Sequence, residues 1–192
     1  MVHGGALPAG LGNNPTDLVA AGDASQQATC VKQPRACLDD LIGIASDGTS
    51  DQLYLYTNEG VPGGYAPPVT LSTTAPNPKD PNWADYQLAT AQPGNNPVDT
   101  VLFALDTANG TLWESVNPNA GKPKSGPTTI IGTGHWTEIT VPWGSSPPTL
   151  LQGDINHAGA TELWAKSGTT LTSYTLSGTS LTEEASQPYP HT

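Results

Sequence analysis

The sequence predicts an all-β fold of propeller-type, four-stranded blades, and three observations predict it. Gly and Pro supply 21 and 19 of the 192 residues, a density of helix breakers that rules out a helical bundle. Apolar residues make up only 35% and are interleaved with Thr and Ser, as suits short, half-buried strands joined by turns. The third observation is an internal repeat of about 60 residues, a length that holds the four strands of one blade.

Taken in order, Gly12-Asn-Asn-Pro-Thr-Asp17-Leu-Val-Ala-Ala opens the chain with a faint copy of a later segment. The first clear hairpin runs from Asp40-Leu-Ile-Gly-Ile-Ala-Ser-Asp-Gly to Gln52-Leu-Tyr-Leu-Tyr56. The second runs from Asp99-Thr-Val-Leu-Phe-Ala-Leu-Asp through Asn109-Gly110 to Val116; Asn-Gly is a strong hairpin signal because both residues tolerate positive φ. The third runs from Glu162-Leu-Trp-Ala-Lys-Ser-Gly168 to Leu176. Each starts at an acidic residue, and these anchors lie 59 and 63 positions apart. Between hairpins, Pro68 to Ser72, Trp83 to Thr90, Thr128 to Ile131 and Trp136 to Val141 read as the remaining strands. The units are then an N-terminal strand and disulfide loop at 1–35, which opens an incomplete blade, blades at 36–92 and 93–150, and an incomplete blade at 151–192. About three blades fall short of the 4–8 of a closed propeller. A fragment of a longer chain is therefore expected, with ring closure by association of copies, or an open array, as the alternatives.

The formal charge is −11 and only six residues are basic. They are scattered, which argues against nucleic acid and anionic membranes as partners. The longest apolar runs are too short to cross a bilayer. The opening MVHGGALPAG has neither the basic nor the apolar region of a secretory leader, and reads as a mature or truncated chain with an added initiator Met. Cys30 and Cys37 lack the spacing and neighbouring ligands of a metal site. They read as a short disulfide formed in an oxidising, extracellular compartment, adding about 2–3 kcal/mol in the chain-entropy view.

Leu151-Gln-Gly-Asp-Ile-Asn-His-Ala-Gly-Ala-Thr-Glu-Leu-Trp-Ala, with Gly110-Thr-Leu-Trp-Glu, Asp51-Gln-Leu-Tyr-Leu-Tyr and Gly134-His-Trp-Thr-Glu-Ile-Thr, resembles the FG-GAP (VCBS) repeat of secreted bacterial and integrin-type β-propellers. The resemblance covers about residues 36–185 and points to actinobacterial members. It implies a Ca²⁺ loop with Asp154, Asn156 and Glu162 at ligand positions, since a hard cation takes several oxygens from one tight turn. Ala158 stands where the family has its middle Asp, and the loops around Asn95 and Asn13 lack the first Asp. The same side chains equally serve to hold the turn by bonding their own backbone.

No catalytic motif emerges. His3, His135, His157 and His191 lack metallohydrolase spacing, no G-x-S-x-G occurs, and the neighbouring carboxylates Asp39/Asp40 and Glu183/Glu184 point to opposite faces of a strand. Of the five Trp, Trp113, Trp136 and Trp164 fit packing between blades. Trp143, flanked by Pro142 and Gly144, is the expected exposed ligand-stacking residue, with Trp83 as the second. The function expected is a non-catalytic binding or scaffold module of a secreted protein, recognising a glycan or protein through rim loops. The alternative is a secreted glycoside hydrolase or polysaccharide lyase, or its accessory region.

Overall fold

The computed structural model describes residues 15–21, 40–59, 64–91, 100–116, 131–151 and 162–189. These form three four-stranded antiparallel sheets, each a simple meander. The first holds β1 (Asp17–Ala20), β2 (Leu41–Ser46), β3 (Asp51–Tyr56) and β4 (Val69–Ser72). The second holds β5 (Tyr86–Ala91), β6 (Val101–Asp106), β7 (Leu112–Val116) and β8 (Thr137–Ile139). The third holds β9 (Thr149–Leu151), β10 (Glu162–Ser167), β11 (Thr170–Ser177) and β12 (Ser180–Pro188). The opening strands β1, β5 and β9 lie next to one another, so the sheets radiate from them as blades. This is a partial β-propeller of three blades that do not close into a ring.

The three predicted hairpins are the β2–β3, β6–β7 and β10–β11 pairs. The sheets, however, begin one strand earlier than units 36–92, 93–150 and 151–192. The Trp83–Thr90 segment supplies β5, which pairs with β6 rather than with the preceding unit. The Asp17 copy likewise pairs with β2 as the first strand of the first blade. The third sheet has its full four strands, because β12 follows β11 through a Gly178 turn at φ 59°. A meander pairs each strand with both sequence neighbours, so strand pattern alone does not say where one blade stops.

Side-chain alternation accounts for the stacking. Ile42, Ile44, Leu53 and Leu55 of the first sheet pack on Leu88, Leu102 and Ala104 of the second. The opposite face of the second sheet, with Ala89, Val101, Phe103 and Leu105, packs on Leu163, Ala165 and Tyr174 of the third. The middle blade is thus covered on both faces, and all six residues of β6 are buried. That is why Val101-Leu-Phe-Ala-Leu reads as an unbroken apolar run rather than an alternating one.

The inner strands leave one backbone edge unpaired, and side chains cover it. The Asp17 carboxylate accepts the Leu88 N–H of β5 at 2.5 Å and its own neighbour Leu18 N–H at 2.9 Å. In return Thr90 donates to the Ala20 carbonyl at 2.7 Å. Between the second and third blades, the Gln87 amide donates to the Leu150 carbonyl at 3.2 Å and accepts the Leu150 N–H at 3.0 Å. Each link joins one blade's side chain to the next blade's main chain, which fixes the relative height of the blades.

Burial pushes the Asp17 carboxyl above the usual carboxylate range, against the pull of its two backbone N–H partners. Burial does the same to Glu114 on β7. A carboxyl with a raised folded-state pKa binds its proton more readily in the fold than in the unfolded chain. Its contribution to stability is therefore largest below the unfolded value, about 4, and is lost as pH rises through the folded one. Asp17→Asn is expected to gain stability relative to the parent as pH rises from mildly acidic to neutral. Paired urea titrations across that range check this, and a parent-to-variant difference that stays constant with pH overturns it.

Candidate functional site

The β2–β3, β6–β7 and β10–β11 turns share one end of the blades with the loops that enter β5 and β9. The pairings Tyr86 with Asp106 and Lys166 with Thr149 put them there. This end forms a rim of short polar turns, held by carboxylates at two turns. At the β2–β3 turn, Asp47 accepts from the Thr49 N–H at 2.7 Å, the Thr49 hydroxyl at 2.6 Å and the Ser50 N–H at 2.9 Å. These bonds, led by the Thr49 hydroxyl, hold its carboxyl below the usual range.

Asp106 is the counterpart in the middle blade, and it is fully buried. Its Oδ1 accepts the Ala108 and Asn109 N–H groups at 3.0 and 3.3 Å. Its Oδ2 accepts the side-chain amides of Asn77 and Asn109 at 3.1 and 2.6 Å. Asn77 belongs to the β4–β5 loop, so one carboxylate ties that loop to the β6–β7 turn. Thr107 reinforces the tie, donating both its N–H and its hydroxyl to the Asp85 carbonyl at 2.8 Å. Tyr86, starting β5 beside them, donates to the Asp80 carbonyl at 3.0 Å. Burial first, and then the Asp106 charge, hold its phenol well above the usual tyrosine range.

Trp143 lies on this rim between the second and third blades. It is half-buried rather than fully exposed. Its indole N–H donates to the Gly110 carbonyl at 3.0 Å, and its ring meets Tyr174 edge-on with centroids 5.5 Å apart. Pro142, Gly144, Ser145 and Ser146 around it are exposed, as are Thr107, Ala108 and Asn109 of the adjoining turn. The ring is therefore fixed in orientation while its surroundings face solvent.

Trp83 differs from expectation. It is 0% exposed and offers no face to a ligand. It starts a 3-10 turn, Trp83–Asp85, whose N-cap Asn82 accepts the Ala84 N–H. The turn aims the indole inward against Tyr86 and Trp136, at centroid distances of 5.4 and 5.9 Å. Trp113 and Trp136 also pack against the core between the first two blades, as expected of them. Glu162 starts β10 and is buried. Asp154, Asn156, Cys30 and Cys37 lie outside the described residues.

Sequence reasoning missed Asp47 and Asp106 as organisers of the rim, having placed the acidic anchors at strand starts. Their signal is present: an Asp closing an apolar strand just before a Gly- or Asn-containing turn bonds the backbone two and three residues on. One of the expected anchors, Asp40, is buried and accepts the Asn58 N–H at 2.8 Å. Gln87 and Asp17 carry no comparable signal, since the edges they cover belong to distant segments.

With the blades and rim defined, comparison with known proteins adds no relative: no protein-family model, curated protein or solved structure matches the chain.

Proposed function

We propose that this chain is a non-catalytic binding or scaffold module of a secreted protein, recognising a glycan or protein partner through its rim loops. The observation that carries the reading is Trp143. An indole already held by a hydrogen bond and a ring contact loses little freedom on binding, and pre-organisation of this kind raises affinity. A flat apolar face beside exposed hydroxyl and amide groups suits a sugar ring, which presents C–H on its faces and hydroxyls at its edge. The carboxylates of Asp47 and Asp106 are engaged in holding turns, which supports a frame for recognition rather than for acid–base chemistry.

Titration of oligosaccharides against intrinsic fluorescence tests this. Quenching is expected in the parent and lost in Trp143→Ala, and an activity screen on the same polysaccharides is expected to show binding without turnover. Turnover, or quenching unaffected by the substitution, overturns the reading. In the same proposal the chain is an FG-GAP-type repeat protein, Cys30 and Cys37 form a disulfide, and Asp154, Asn156 and Glu162 hold Ca²⁺. Thiol titration before and after reduction, and melting with and without millimolar Ca²⁺, address the last two. Further blades, from a longer chain or from a second copy, would complete the ring; light scattering over a concentration series separates these sources.

A further inference from the structure

We propose that the outer edge of β12 is a docking site for an extended, basic polypeptide segment that adds a strand to the third blade. This inference is independent of the rim reading. β12 runs for nine residues, Ser180–Pro188, against four in β4 and three in β8. From Thr182 to Pro188 every residue is exposed.

The register shows which backbone groups are free. Ser180 and Thr182 pair inward with Ser177 and Thr175, so Leu181 and Glu183 between them direct their N–H and C=O groups outward. The structure already uses the first of these. Thr140, just after β8, lies parallel to the edge, its N–H donating to Thr179 and its carbonyl accepting from Leu181 at 2.8 and 2.9 Å. The edge therefore takes a strand at its beginning. Beyond the bulge at Ser173/Tyr174, Gln187 pairs inward with Leu171, so Ser186 points outward again. Among the described residues, nothing occupies the edge past Leu181.

Charge selects the occupant. Glu183 and Glu184 are exposed on the strand itself, and Glu138, two residues before the bridging Thr140, is exposed as well. A second copy laid along the edge would bring the same carboxylates together, which is how natural edges resist self-pairing. A segment alternating Lys or Arg with β-branched residues sets its cations on one face of the sheet, where one of these two carboxylates meets them with opposite charge, and supplies the missing main-chain bonds, the mode of strand addition.

The test uses a fluorescent nonapeptide alternating Lys and Val, a Glu/Val counterpart, and a Lys/Val version interrupted by Pro. The Lys/Val peptide is expected to bind, more weakly at high salt, and to slow amide exchange at Glu183 and Ser186. The double variant Glu183→Lys, Glu184→Lys is expected to weaken it about tenfold with an unchanged melting temperature, since both side chains are exposed. Equal binding of the Pro-interrupted peptide, unchanged exchange at Glu183 and Ser186, or a dimer that protects this edge in the peptide's place would each overturn the proposal. Quenching at Trp143 by oligosaccharides is unaffected in either case.

Discussion

Asp106→Ala is expected to unfold about 2–4 kcal/mol more easily than the parent, the range for losing hydrogen bonds to a charged acceptor and leaving a buried donor unmet. In a chain of this size that lowers the melting temperature by about 10 °C. The loss has two parts. The Ala108 and Asn109 N–H groups belong to exposed residues and regain water, so their share is small. The Asn77 amide belongs to a buried residue and keeps an unmet donor, which is the costly part. The β4–β5 loop then loses its tie to the β6–β7 turn. Asp106→Asn should cost less, since its side-chain oxygen still accepts while its amide meets donors. Tyr86 gives a second readout: without the Asp106 charge its phenol titrates at lower pH than in the parent. Melting and spectroscopic tyrosine titration of the three proteins check both effects. An Asp106→Ala protein as stable as the parent would contradict the role assigned to this carboxylate.

How much of this was legible in the sequence divides along local and non-local lines. The three hairpins were legible because apolar strands meeting at Asn109-Gly110 and Gly168 leave a pattern within about fifteen residues. Four strands per repeat followed from spacing. The phase of the blades did not, because Trp83 to Thr90 is as good a strand for one sheet as for the next. Only the pairing of Tyr86 with Asp106 decides it. Trp83 follows Pro81 and Asn82 and reads as the exposed start of a strand, yet it heads a 3-10 turn capped by Asn82 and its ring lies in the core. Trp143 has the flanks of an exposed residue, and its partner Tyr174 comes from another blade. The edge links of Gln87 and Asp17 span 63 and 71 positions, a separation at which a single sequence carries no pairing signal. Turn chemistry at Asp47 and Asp106 is readable in an Asp that closes an apolar strand just before a turn, but the acidic residues at strand starts form the more regular pattern.

Gly110→Ala should cost about 3 kcal/mol, from three separable sources. Gly110 has φ 80°, a conformation that costs a residue with a Cβ about 1–2 kcal/mol. The new Cβ would lie 2.5 Å from the Gly144 carbonyl oxygen, a distance real Cβ atoms do not adopt, so the main chain of the Trp143 loop must move. That motion breaks the indole bond to the Gly110 carbonyl, worth about 1 kcal/mol. Gly144→Ala is the control: its φ is 61°, but a Cβ there meets nothing within 4 Å. It carries the conformational cost alone and leaves the Trp143 bond in place. The two variants should therefore differ by the steric and hydrogen-bond parts, readable as a larger drop in urea midpoint for Gly110→Ala. The same comparison bears on binding. If the fixed orientation of Trp143 sets affinity for a sugar, Gly110→Ala weakens oligosaccharide quenching while retaining the indole, and Gly144→Ala does not. Equal quenching in both folded variants would show that the ring's presence suffices and that its hydrogen bond to the neighbouring turn does not contribute.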